Sequence, residues 1–246
     1  MTIELVQILS VEQRLDCRAL LPEQLTNMSM QQVQHLSLRV GNQALPLAEL
    51  FNVSAKSDEQ CRLIIHPLDD RLDYLGAGMS QGELLVSGNA GHHAGRGMQG
   101  GQLTITGQCG DLAGSGLRAG HLLVKGNAGA RLGGPAAGER RGQQGGVIHV
   151  RGSAGERAGE CMRRGTLIIE GDADRLLGYR MIAGTLFVGG RVGALAGYGM
   201  RRGTLVLQHH PDTVCPTLRA NGTHELSFLQ LLSADLRQAS GQVLKL

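Results

Sequence analysis

One short phrase recurs seven times: GELLVSG (82–88), GQLTITG (101–107), GHLLVKG (120–126), GVIHVRG (146–152), GTLIIEG (165–171), GTLFVGG (184–190) and GTLVLQH (203–209). The opening glycines fall at 82, 101, 120, 146, 165, 184 and 203, a spacing of 19 broken once by 26, which is 19 plus a seven-residue insert. A fixed period of this size is the signature of a solenoid, whose repeats bury their apolar faces only against their neighbours. The second residue after each glycine is Leu84, Leu103, Leu122, Ile148, Leu167, Leu186 or Leu205. The fourth is Val86, Ile105, Val124, Val150, Ile169, Val188 or Leu207. A separation of two puts both side chains on one face of a strand.

Nineteen residues cannot hold a strand, a crossover helix and the next strand, because a βαβ unit needs roughly 30 or more. The chain must therefore turn by bends alone. Small apolar residues follow each strand (Ala90, Cys109, Ala128, Ala154, Ala173, Val192), then an alanine or leucine, a glycine, and usually a methionine or leucine (Met98, Leu117, Met162, Met181, Met200). Stacked coils bring like residues into columns about 4.8 Å apart per rung. The predicted fold is all-β: a right-handed parallel β-helix of about seven coils with a 19-residue period. Residues 1–60 are expected to cap it at the N-terminal side, with a strand over Thr2 to Ile8 and a short helix over Leu45 to Phe51. Residues 61–209 form the glycine-rich β-helix, with an insert loop at about 133–145. Residues 210–246 form a C-terminal cap or tail, with a short amphipathic helix from about Glu225 to Leu236.

Composition narrows the function. The net charge is only +3, and three Tyr, three Phe and no Trp leave little to stack on bases, which disfavours nucleic-acid binding by basic patches. Cysteines at 17, 61, 109, 161 and 215 form no CxxC pair, so they read as reduced thiols of a cytoplasmic chain rather than a metal site or disulfide framework. No apolar run approaches the ~20 residues of a membrane span, and no basic targeting segment opens the chain.

The chemical motifs are weak. Gly95-Arg96-Gly97-Met98-Gln99-Gly100 matches the dinucleotide fingerprint, but a strand follows where a helix is required. His92-His93 and His209-His210 are adjacent pairs that point to opposite faces, without a third ligand at a suitable spacing. No catalytic residue and no metal ligand is expected in this chain.

Two surface features say more. The outward position between the two inward residues of each strand is Leu85, Thr104, Leu123, His149, Ile168, Phe187 or Val206. Such an apolar stripe requires a cover, either this chain's own terminal segments or a partner meeting Leu85, Leu123, Ile168, Phe187 and Val206. Arginine recurs at one corner, as Arg118, Arg163 and Arg201, with Arg164, Arg202, Arg140 and Arg141 close by. Stacked, these form either a positive strip suited to carboxylates or phosphates, or plain solvated charge. The insert beside them is either a binding face or a tolerated surface loop.

The repeated Met-x-x-Gly-x-Leu-x-Ile/Val-x-Gly-x-Ala-Gly phrase resembles the C subunit of formylmethanofuran dehydrogenase and of its bacterial relative, the formyltransferase/hydrolase complex of methylotrophs. The glycine-rich coil is also similar to the C-terminal spacer domain of the glutamate synthase large subunit. The first resemblance implies a non-catalytic structural subunit of a complex that moves a formyl group from formyl-tetrahydromethanopterin to a methanofuran-type cofactor and hydrolyses it to formate. It implies no cofactor in this chain, a formyltransferase and an amidohydrolase-like zinc protein as partners, and cytoplasmic one-carbon metabolism. Added to that scaffold role, the arginine corner is expected to act as an anionic-ligand module that guides the cofactor's acidic tail between partner active sites, through Arg118, Arg163, Arg164, Arg201 and Arg202. The archaeal dehydrogenase, with a molybdenum or tungsten pterin subunit, is the alternative; the Arg-, Leu- and Gln-rich composition leans toward the bacterial complex.

Overall fold

The inward pairs of the repeated phrase stack in register along the whole solenoid. The computed structural model describes residues 1–57, 60–211, 213–224, 227, 228 and 230–234. In chain order the elements are β1 (Thr2–Gln7), β2 (Leu15–Asp16), α1 (Pro22–Leu25), α2 (Met30–Gln34), β3 (Ser37–Val40), β4 (Gln43–Pro46), α3 (Leu47–Leu50) and β5 (Phe51–Lys56). The solenoid strands follow as β6 (Arg62–His66), β8 (Glu83–Val86), β9 (Gln99–Ile105), β10 (Ala119–Val124), β11 (Gln144–Val150), β12 (Arg164–Ile169), β13 (Thr185–Val188) and β14 (Thr204–Leu207), with the short β7 (Leu72–Asp73) between the first two.

β6 and β8 to β14 pair in parallel, each with the next, which is the arrangement of a parallel β-helix. One inward column runs Leu84, Leu103, Leu122, Ile148, Leu167, Leu186, Leu205. The column crosses the insert unbroken, since Leu122 pairs with Ile148 as Leu167 pairs with Leu186. All but the last of these residues are buried, and burial of each Leu or Ile side chain contributes ~1.5–3 kcal/mol.

A second column of backbone bridges links Ala90, Cys109, Ala128, Ala154, Ala173 and Val192. Beside it, polar side chains each accept from an amide of the next coil. Asn89 Oδ1 accepts from Gln108, Asn127 Oδ1 from Ser153, Ser153 Oγ from Asp172 and Asp172 Oδ1 from Arg191. Asp73 Oδ1, His92 Nδ1 and Asp111 Oδ1 do the same for His92, Asp111 and Ala130. These short polar residues satisfy amides that the tight bends would otherwise leave unpaired. His92 is thus a coil-to-coil acceptor, and His93 stacks on Tyr74 with ring centroids 4.7 Å apart. The Gly95 to Gly100 segment runs through a bend straight into β9.

The head is stitched into the solenoid. β1 pairs in parallel with β6, with Ile3 opposite Leu63 and Leu5 opposite Ile65, so the inward columns begin at residue 3. β5 then pairs antiparallel with β1 and forms one edge of the ten-stranded sheet. A second sheet, in the order β4-β3-β2-β7, sits over the head, where Leu20, Leu25, Val33, Leu38, Leu47, Leu50 and Phe51 are buried. The helix expected over Leu45 to Phe51 is the single turn α3, its start set by Pro46 as N-cap. α2 begins at Ser29, whose side chain and that of Gln32 form a reciprocal capping box.

At the far end Cys215 is buried, and Leu218 Cδ1 lies 3.4 Å from where a Cβ on Gly197 would stand. Of the helix expected from Glu225 to Leu236, residues 228 and 230–234 are helical; Glu225, Leu226, Leu229, Asp235 and Leu236 lie outside the described residues. Among the described residues, no helix is long and apolar enough to cross a membrane.

Candidate anion-binding site

The insert of residues 133–145 is an ordered wall, and Gln143 anchors it. Gln143 stands in the column otherwise filled by Met79, Met98, Leu117, Met162 and Met181, and it is fully buried. Its Nε2 donates to the carbonyls of Gly145, Gly146 and Thr166 at 3.0, 3.0 and 3.2 Å, so one amide satisfies the chain's re-entry into the solenoid. Two ion pairs pin the rest. Arg131 Nε lies 2.8 Å from Glu160 Oε2 and its Nη2 donates to the Pro135 carbonyl at 3.0 Å. Arg96 Nη2 lies 3.0 Å from Glu139 Oε1.

Under this wall is a cavity of about 670 Å³. Its basic lining is Arg131, Arg140, Arg163, Arg180 and Arg201; Glu139, Glu160, Cys161, Pro135, Ile182 and the tyrosines 179 and 198 complete it. Tyr179 and Tyr198 occupy equivalent places one coil apart and stack at 6.0 Å, 10° from parallel. The guanidinium carbons of Arg157 and Arg180 lie 5.6 and 6.0 Å from the Tyr179 ring centre, within cation–π range.

Both acids of the cavity are already paired with Arg131 and Arg96, whereas among the described residues no carboxylate lies within ion-pair distance of Arg140, Arg163, Arg180 or Arg201. The Arg163 Nε is buried and has no acceptor. The cavity is therefore a place where positive charge collects without compensation. Burial, and then the Glu160 carboxylate, push the Cys161 thiol up, so at neutral pH it is a protonated wall residue and not a thiolate nucleophile. Burial pushes Cys109 up to about 12 in the inward column.

Non-glycine residues at positive φ recur in every coil at one bend position, from Tyr74 to Leu195, and a second such position departs from glycine beside the cavity. That second position is glycine with positive φ at Gly78 (+76), Gly97 (+63), Gly116 (+65) and Gly199 (+70), yet on the two rungs that face the cavity it is Cys161 and Arg180, both at +52. The left-handed region costs a residue with a Cβ roughly 1–2 kcal/mol relative to its relaxed conformation.

Of the arginines expected at the corner, Arg163 and Arg201 line the cavity and Arg118, Arg164 and Arg202 do not. Arg164 and Arg202 directly follow the two lining residues, so their side chains leave the backbone on the other side. Arg118 is separated from Arg163 by the Gln144 rung and by the insert. Sequence reading missed Arg180, Arg131 and the tyrosine pair. The signal was present in the register, because Cys161 and Arg180 interrupt a column of glycines.

The outward stripe divides in two. Ile168 and Phe187 are fully buried within this chain, packed with Val147, Val206 and Leu232. Of the two covers the stripe could have, this chain's own terminal segment lies on these two residues, through Leu232 of the C-terminal helical segment. Leu85, Leu123 and Val206 remain half-buried. His149, in the same stripe, is buried against Glu170. Among the described residues, no group of three or more His, Cys, Asp or Glu is placed to hold a metal ion.

No family model matches the sequence. Two curated relatives, both the C subunit of tungsten-containing formylmethanofuran dehydrogenase 2 from Methanococcus maripaludis, are 29% and 28% identical over 72 residues, 29% of this chain. The matched stretch spans 26% of the length of each of these relatives. A solved structure is similar over nearly the whole chain. It is the formyltransferase/hydrolase complex (FhcABCD) from Methylorubrum extorquens in complex with methylofuran, one chain of which superposes with a TM-score of 0.87 at 33% identity, covering 96% of this chain and 88% of that one.

Proposed function

We propose that this chain, which belongs to the C-subunit family of formylmethanofuran dehydrogenase and its bacterial relatives, is the non-catalytic β-helical subunit of a formyltransferase/hydrolase complex. Such a complex transfers a formyl group from formyl-tetrahydromethanopterin to a methanofuran-type cofactor and hydrolyses it to formate. The observation that carries this reading is the 33% identity, sustained over 96% of the chain, to a chain of a complex solved with methylofuran. The chain's own chemistry is in keeping with it. The buried thiols of Cys17 and Cys109 are held protonated by burial, and the paired carboxylates serve the ladder and the insert.

In this reading catalysis belongs to partner subunits, a formyltransferase and an amidohydrolase-like protein that holds zinc, and the assembly works in the cytoplasm. This chain supplies a rigid column against which the partners keep a fixed separation. The half-buried Leu85, Leu123 and Val206 are the apolar positions proposed to meet them. A second reading, the C subunit of a tungsten-containing dehydrogenase, is favoured by the curated relatives. The test is formyl transfer and formate release in extracts from cells with and without this chain, and from the purified chain alone. The reading requires both activities to be lost with the chain and absent from the chain by itself; retention of both in its absence contradicts it.

A further inference from the structure

We propose that Asn221 is a site of spontaneous covalent modification, where the chain cyclises through the Gly222 amide and opens again with water to aspartate or isoaspartate. The inference rests on the C-terminal segment alone and does not depend on the assembly described above. The sequence holds six asparagines, at 27, 42, 52, 89, 127 and 221, and only Asn221 is followed by glycine. The attacking group is the backbone nitrogen of the next residue, so a residue without a Cβ leaves the approach to the side-chain carbonyl uncrowded.

The fold sorts the six. Asn89 and Asn127 are fixed, each side-chain oxygen accepting from an amide of the next coil. Asn27 Nδ2 donates to the Glu23 carbonyl at 2.7 Å. Asn52 lies inside β5, and the β-branched Val53 follows it. Asn42 is exposed in the turn before β4, but Gln43, whose nitrogen would attack, begins that strand opposite Val40. Asn221 is under none of these restraints. It is exposed, in a stretch (216–224) with neither helix nor strand. His224 Nε2 donates to the Asn221 backbone carbonyl, and among the described residues the Asn221 side-chain amide has no hydrogen-bond partner. Among the described residues no backbone hydrogen bond holds 219–224. Gly222 has φ +82, and a Cβ there would meet nothing within 4 Å, so packing does not demand the glycine.

The step balances with water as its only co-reactant. The Gly222 nitrogen gives up its proton to solvent and bonds to Asn221 Cγ. The Cγ–Nδ2 bond breaks and ammonia leaves, taking a proton from solvent, which closes a cyclic imide. Water then opens it. Cleavage at Cγ gives aspartate, and cleavage at the main-chain carbonyl gives isoaspartate, whose main chain is longer by a methylene. Either product adds a negative charge to the segment that joins the buried Cys215 to Leu232, the residue packed over Ile168 and Phe187. Exposed stretches outside regular structure are where such a change is tolerated.

The test is incubation of the full-length folded chain in mildly alkaline ¹⁸O-water, with mass spectrometry of the tryptic peptide that begins at Ala220. Heavy oxygen should enter residue 221, and an isoaspartyl methyltransferase should methylate part of the product, which direct hydrolysis of the side chain does not allow. The rate should lie within about threefold of that of a synthetic peptide of residues 218–224, because the fold holds nothing there. Gly222→Ala should slow conversion at least about tenfold, with the thermal midpoint unchanged. The other five asparagines should stay unlabelled while Asn221 passes half conversion. Protection of more than about tenfold relative to the peptide, a rate indifferent to Gly222→Ala, earlier conversion of another asparagine, or a product without isoaspartate would each overturn the proposal.

Discussion

His149 Nε2 lies 2.6 Å from Oε1 of Glu170, the residue directly after the neighbouring strand β12, and the histidine side chain is only 1% exposed. With Nε2 donating to the carboxylate, Nδ1 is left buried without a partner. Burial lowers the His149 pKa, the Glu170 hydrogen bond and charge offset only part of this, and Arg151 adds to the lowering. His121 nearby is lowered too, by burial first and then by His149.

These two histidines are neutral in the folded chain, whereas the unfolded chain takes up protons near the ordinary value of about 6.5. Their contribution is therefore fully present above that pH and is lost as pH falls toward their folded values. Urea midpoints should drop between pH 7 and pH 5, and drop less in the His121→Gln/His149→Gln double variant. A double variant with the same pH slope as the parent would show that other groups set the acid sensitivity.

The corner glycines should tolerate no side chain. Gly165 has φ +93, and a Cβ there would stand 2.6 Å from the Gly146 carbonyl oxygen. Gly165→Val is expected to cost about 2–5 kcal/mol, from backbone strain and the clash together. Gly97→Ala, at φ +63 with open space around it, should cost only about 1 kcal/mol. Denaturant titration of the pair checks this, and equal costs would contradict the account of the corner.

Gln143→Met places in its column the residue that neighbouring coils use, and it should nonetheless destabilise. It strips the donor from three carbonyls at the exit of the insert. A loss of about 1–3 kcal/mol is expected in chemical denaturation. A neutral or stabilising result would mean that those carbonyls find other donors.

The insert should open when its pin is removed. Glu160→Ala removes the carboxylate that holds Arg131 in place as it donates to the Pro135 carbonyl of the wall, and Arg140 and Arg141 are exposed residues of that wall. Trypsin should nick the variant at Arg140 or Arg141 several-fold faster than the parent, with the rest of the solenoid resistant. Equal rates would show that Gln143, the Arg131–Pro135 hydrogen bond and the Arg96–Glu139 pair hold the insert without Glu160.

The solenoid was legible because its constraint is periodic: Leu84 to Leu205 and Val86 to Leu207 mark every rung, and stacking follows from the period. Less legible was whatever breaks the period. The Ile3–Leu63 and Leu5–Ile65 pairing joins a non-repeating segment to the columns, and such long-range pairing leaves no local pattern. Gln143 reads as a loop residue until its column is known. Arg180 is one arginine among many until it is seen to replace glycine. The apolar stripe announced a cover without saying whose, and only three-dimensional packing placed Leu232 over Ile168 and Phe187.

The most direct test of the subunit reading is gentle affinity purification of the tagged chain from its own cells, with native mass measurement and identification of what comes with it. The account predicts a hetero-oligomer containing a formyltransferase and an amidohydrolase-like protein in fixed ratio. A chain recovered alone as a monodisperse monomer, with formyl-transfer activity in the unbound fraction, would contradict it.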